Sequence, residues 1–183
     1  AAMAVDTSSN AGTNANTNIR SLAAFTSAGD ISFINADTLQ TVTDINYNSN
    51  GIVVGVDTNN GAVALTATTG NLTVFNGGNA NDIEATGNIT LTALADEGVV
   101  SVNASADVET SAGNITVTAD DINLAGTMTA SAGAGQTVTL APETAIDVDT
   151  IDLGADAATA NVFEITDADL DQITTDTIII GTT

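Results

Sequence analysis

The 183 residues carry 23 acidic side chains against one cation, Arg20, with no Lys and no His, for a formal charge of −22. That balance excludes nucleic-acid binding, which needs clustered cations against phosphate, and disfavours an anionic membrane surface. The missing His and Cys remove the imidazole base, the thiol nucleophile and the usual zinc site, so the chain reads as a non-enzyme with no required cofactor.

Residues 1–18 are mostly Ala, Asn, Thr, Ser and Gly, with Val5 the only large branched apolar side chain. Such a segment buries little surface and is expected to be a flexible N-terminal arm or an irregular cap. From Ile19 to Thr183 short apolar-alternating runs follow one another, and this stretch is expected to form one domain. Aromatic residues make up only 3% of the chain, so its core must be built from Val, Ile, Leu and Ala. No run approaches the roughly 18 apolar residues of a membrane-spanning helix, so no membrane insertion is expected.

Within that stretch one phrase recurs. Gly29-Asp30-Ile31-Ser32-Phe33 is its loosest copy. Gly70-Asn71-Leu72-Thr73-Val74, Gly87-Asn88-Ile89-Thr90-Leu91 and Gly113-Asn114-Ile115-Thr116-Val117 are close copies. Each reads as a turn followed by a strand whose apolar pair faces one way and whose polar residue faces the other. Ile122 and Leu124, and Val138 and Leu140, repeat the same alternation. The glycines at 29, 51, 70, 87, 113, 133 and 154 suggest coils of about 20 residues. The expected fold is therefore all-β: a parallel β-helix or solenoid of stacked coils.

The asparagines of the phrase admit three uses, the last of them direct contact with a ligand. They tolerate turn geometry and can stack along a solenoid. Asn71, Asn88, Asn103 and Asn114 also each begin an N-x-Ser/Thr glycosylation sequon. Thr-x-Thr pairs recur at 41/43, 66/68, 90/92, 116/118, 127/129 and 137/139. They resemble the arrays of ice-binding solenoids, but their uneven spacing argues against a flat lattice.

Hard oxygen ligands are abundant and softer ones missing, so calcium is the metal expected, with Asp147, Asp149, Asp167, Asp169 and Asp171 as its candidate ligands. Asp167-x-Asp169-x-Asp171 departs from an EF-hand loop, because Gln172 stands where the glycine belongs and Ile178 where the glutamate belongs. Gly77-Gly78-Asn79-Ala80-Asn81-Asp82 occurs once and carries Ala80 in place of a glycine of the calcium nonapeptide. Thr166 and Asp169 have the spacing of a capping box, which predicts a single helical turn near 167–172. The run Ile178-Ile179-Ile180 then forms an apolar strand with an edge that invites pairing, and these are the candidate assembly residues.

The Gly-Asn-Ile-Thr phrases, with the segment Ile165-Thr166-Asp167-Ala168-Asp169-Leu170-Asp171-Gln172-Ile173 and Thr177-Ile178-Ile179-Ile180-Gly181, resemble filamentous-haemagglutinin-like parallel β-helix surface proteins. The resemblance covers about residues 60–181. It implies a right-handed β-helix with a structural or adhesive role at the cell surface. Together these readings lead to a non-catalytic extracellular protein, a subunit or segment of a filament or adhesin stalk. Its partners would be other copies of itself or the remainder of a larger surface protein. An adhesin module that binds glycans or a host surface is the alternative, ahead of a polysaccharide-active enzyme or an ice-binding protein.

Overall fold

The computed structural model describes residues 3–6, 21–41, 45–46, 52–53, 55–76, 82–130, 135–143, 150–154 and 162–181. The chain winds repeatedly through three faces, here called A, B and C. The first circuit is β1 (Met3–Asp6), β2 (Ser21–Leu22) and β3 (Ala24–Thr26). The second is β4 (Ile31–Asn35), β5 (Leu39–Thr41) and, after a small antiparallel pair of β6 (Ile45–Asn46) and β7 (Ile52–Val53), β8 (Val56–Thr58). Next come β9 (Val63–Ala67), β10 (Leu72–Val74) and β11 (Ile83–Ala85), then β12 (Ile89–Ala93), β13 (Val99–Val102) and β14 (Asp107–Thr110). They are followed by β15 (Ile115–Ala119), β16 (Asp121–Leu124) and β17 (Thr127–Ala130).

The final circuit departs from this plan. It runs from β18 (Thr137–Pro142) through β19 (Thr150–Leu153), β20 (Val162–Ile165), α1 (Asp167–Asp171) and β21 (Ile173–Thr174) to β22 (Thr177–Ile180). Apart from β6–β7 and the parallel pair β19–β20 within the final circuit, the strands pair in parallel with their counterparts in neighbouring circuits, giving sheet A (β1-β4-β9-β12-β15-β18-β22), sheet B (β2-β5-β10-β13-β16) and sheet C (β3-β8-β11-β14-β17-β21). The protein is thus a stacked, solenoid-like parallel β fold. Met3–Asp6, inside the segment expected to be an arm or cap, pairs with β4 as the first strand of sheet A; the rest of residues 1–18 lie outside the described residues.

The alternation in the sequence explains the sheets. In sheet A, Ile31, Val63, Ile89, Ile115 and Val138 stack in one inward column, and Phe33, Leu65, Leu91, Val117 and Leu140 in a second. All of these are buried. Sheets B and C contribute Leu39, Leu72, Val100 and Ile122, and Val56, Ile83, Val108 and Met128, to the same core. One coil alone could not cover these side chains. The next coil covers them at the ~4.8 Å strand spacing of a sheet.

The register also sets the coil lengths. Along sheet A the steps are Ile31 to Val63, Val63 to Ile89, Ile89 to Ile115, Ile115 to Val138 and Val138 to Ile178. These are longer than the 20-residue spacing suggested by the glycines. The glycines that stack are Gly29, Gly61, Gly87 and Gly113, at the corner between sheets C and A. A Cβ on Gly87 would lie 2.9 Å from the carbonyl oxygen of Gly61, and one on Gly113 would collide with the Gly87 backbone. Successive corners pass too closely here for any side chain, and this close approach fixes the glycines whatever the loop lengths between them.

Candidate functional site

The corner next to sheet A is bonded from coil to coil by the second residue of the repeated phrase. Asp30 Oδ1 accepts from the N–H of Ala62 (2.8 Å), Asn88 Oδ1 from that of Asn114 (3.0 Å), and Asn114 Oδ1 from that of Thr137 (3.0 Å). Asn71 Oδ1 accepts from the N–H of Val99 (3.0 Å) on the sheet B side. Buried threonines add to the same seam: Thr58 Oγ1 donates to the Gly29 carbonyl (2.8 Å) and Thr110 Oγ1 to that of Gly87 (2.6 Å). The phrase therefore joins coils through its Asp or Asn, and Asn71, Asn88 and Asn114 keep exposed positions while doing so. Asn103 sits in a turn, where its carbonyl accepts from the N–H of Ala106 (2.8 Å).

The acidic candidates at the C-terminal end do not converge. Asp167, Asp169 and Asp171 stand on one short helix, so the first and last fall on one side and Asp169 on the other. Asp167 and Asp171 are exposed and Asp169 is buried. Asp169 Oδ2 accepts from the N–H (2.9 Å) and hydroxyl (2.6 Å) of Thr166, while its own N–H donates to Thr166 Oγ1 (3.1 Å). Its other oxygen, Oδ1, accepts from the N–H of Leu124 (2.7 Å) on β16. The β16 N–H of Ile122 is taken by the carboxylate of Asp121 (2.8 Å). Two carboxylates thus finish the outer edge of sheet B, and β20 packs beside it with Phe163 and Ile165 in the core. A cavity of about 360 Å³ remains between β16, β20 and α1, lined by Asp121, Asn123, Glu164, Thr166 and Gln172 among others. Asp147 and Asp149 lie outside the described residues. Among those described, no three His, Cys, Asp or Glu side chains are grouped to hold a metal ion.

Ile178, Ile179 and Ile180 form most of β22. Ile178 and Ile180 continue the inward columns of Val138 and Leu140, while Ile179 continues the outward column of Thr139. Ile178 remains 37% exposed despite its inward register, because no described strand lies beyond β22 to cover it.

Carboxylates also meet on sheet C, which no local pattern in the chain foretells. Asp57, Glu84 and Glu109 are directly opposite one another on β8, β11 and β14. Burial pushes the Asp57 carboxyl above its ordinary value, and the charge of Glu84 adds to that push. Asp57 Oδ1 is buried without a hydrogen-bond partner. A second such group is Asp120, at the corner between sheets A and B. Burial raises it most, Glu143 and Asp96 add to the rise, and the N–H groups of Glu97 and Gly98 oppose it. Each acid of the sheet C column lies more than twenty residues from the next, so only the strand register brings them together.

The aromatic side chains divide in the same way. Phe33 and Phe163 are fully buried, whereas Phe25 and Phe75 are about half exposed; Tyr47 lies outside the described residues. Compared with protein families, curated proteins and solved structures, the chain has no match to any of the three.

Proposed function

We propose that this chain is a non-catalytic extracellular scaffold, a rod segment of a cell-surface filament or adhesin stalk of filamentous-haemagglutinin-like type. The observation that carries the reading is the in-register parallel stacking of all three sheets, fastened at the corner by Asp30, Asn88 and Asn114. A fold of this kind lengthens by adding coils and keeps the same contacts at each addition. The β22 edge, with Ile178 half-covered, is where another coil or a second copy would pair. Divalent cations enter this proposal as counter-ions that relieve the −22 charge.

The test is electron microscopy with sedimentation of the purified chain at high concentration, with and without calcium. Fibres or end-to-end oligomers, reduced by Ile178→Lys and Ile180→Lys, are the expected result. A chain that stays monomeric in both conditions overturns self-assembly. The second reading, an adhesin module, draws on exposed Phe25 and Phe75 as apolar platforms for sugars. A glycan array without hits would remove it.

A further inference from the structure

The outer face of sheet A differs from the rest of this acidic molecule. From β4 to β22 its outward positions are Ser32 and Ile34, Ala64 and Thr66, Thr90 and Thr92, Thr116 and Thr118, Thr137, Thr139 and Ala141, and Thr177 and Ile179. None carries a charge. The nearest acids stand at its rims, at Asp30, Asp120 and Glu143, and on β1, where Asp6 is opposite Ile34 at the first edge of the sheet. The register also aligns what the sequence spacing had scattered. Thr90, Thr116 and Thr139 are directly opposite one another on successive strands, as are Thr66, Thr92 and Thr118. The uneven coil lengths are absorbed elsewhere in each circuit and leave this face regular.

We propose that this face is an ice-binding plane, with crystalline water as the ligand of its threonine array. The array repeats at about 4.8 Å between strands and about 6.7 Å along each strand, close to the periodicity of a prism face of hexagonal ice. Thr is branched at Cβ and stiff at χ1, and these side chains are half-buried between their neighbours, so methyls and hydroxyls hold fixed positions. The hydroxyls are also unspent. Thr58, Thr68, Thr86 and Thr110, at the corners, donate to backbone carbonyls of neighbouring coils. The six array hydroxyls have no such bond among the described residues. The array from β9 to β18 carries no carboxylate, which lets water order on the threonines rather than around ions, and the −22 charge on the remaining surface keeps the molecule soluble while that array is bare.

This inference does not depend on the scaffold role. The experiment is partition of the full chain into a growing ice hemisphere, with microscopy of ice recrystallisation and of crystal shape. The expected result is enrichment in the ice and suppressed recrystallisation, with both lost in Thr92→Lys and Thr116→Lys. Thr129→Lys, on sheet C, retains both. Circular dichroism checks folding, and Thr92→Ala with Thr116→Ala repeats the test if the lysine variants unfold; it is expected to weaken both effects. A wild-type chain excluded from ice overturns the proposal. So do folded array variants that remain fully active. If sedimentation instead shows dimers that Thr116→Lys dissociates, with no effect on ice, the face is a self-association surface and the proposal fails.

Discussion

Sheets A and C use the same inward chemistry and opposite outward chemistry. Both send Val, Ile, Leu or Met into one shared core. Outward, sheet A stacks threonine on threonine, while sheet C stacks Asp57, Glu84 and Glu109. Parallel stacking multiplies whatever a position carries, because each side chain meets its own counterpart on the next coil. A neutral hydroxyl repeated in this way makes a surface, whereas a carboxylate repeated in this way makes a repulsion. The two faces thus show that strand register, more than composition, decides what this acidic chain presents.

The interiors of the two sheets should respond alike to truncation. Leu91→Ala under sheet A should cost about 3 kcal/mol and Val108→Ala under sheet C about 2 kcal/mol, as lost burial plus a cavity. Urea unfolding midpoints measure both, and a silent variant would mean that its sheet is not packed on the common core. Next is the corner from which sheet A starts. Gly113→Ala should cost roughly 2 kcal/mol through overpacking against the Gly87 backbone, read from the same midpoints.

The outward faces should give smaller effects of opposite sign. Glu84→Gln removes the middle charge of the column and should stabilise the fold by roughly 0.5 kcal/mol at neutral pH. Thr116→Glu, a single acid among neutral neighbours, should change stability by less than about 0.5 kcal/mol. Equal effects of the two would erase the contrast between the faces.

Acid titration sharpens the same point. Asp57 and Asp120 have raised values in the fold, so the folded state takes up a proton at higher pH than the unfolded chain. Their penalty is present at neutral pH. It is relieved as pH falls through the raised values toward the ordinary 3.8. Thermal midpoints should therefore rise on mild acidification, and Glu84→Gln should flatten part of that rise. A midpoint that falls steadily from pH 7 to 4 would contradict it. A small effect is also expected of Asn114→Ala, about 0.5 kcal/mol for one exposed acceptor lost to Thr137.

Much of the fold was legible because alternation is a local property. Ile89-Thr90-Leu91 and Ile115-Thr116-Val117 declare which side chain is inside without reference to any other coil. Which coil lies on which is a non-local matter. Gly70, counted among the coil markers, packs against Thr38 at the other end of sheet A, and Gly61, which was not counted, stacks on Gly29. The same gap hid the carboxylate column and the alignment of the threonines. Asp169 shows a further limit. Its spacing from Asp167 and Asp171 suggested a cation ligand, but its oxygens are committed to Thr166 and to the Leu124 N–H of another strand. No pattern within residues 165–173 could reveal a partner at position 124.

The glycine column at the corner has an evolutionary consequence. It ties each circuit to its neighbour at one place and leaves the length of the remaining arc free, as the unequal steps from Ile31 to Val63 and from Ile115 to Val138 show. Insertions and deletions in those arcs need not propagate to the next coil. The excursion from β18 through α1 to β22 goes further, hosting a helix within one circuit while sheets A and C continue. Such a chain can diversify by duplication and by grafting new modules into its arcs, provided the corner and the paired strands of the three sheets are kept.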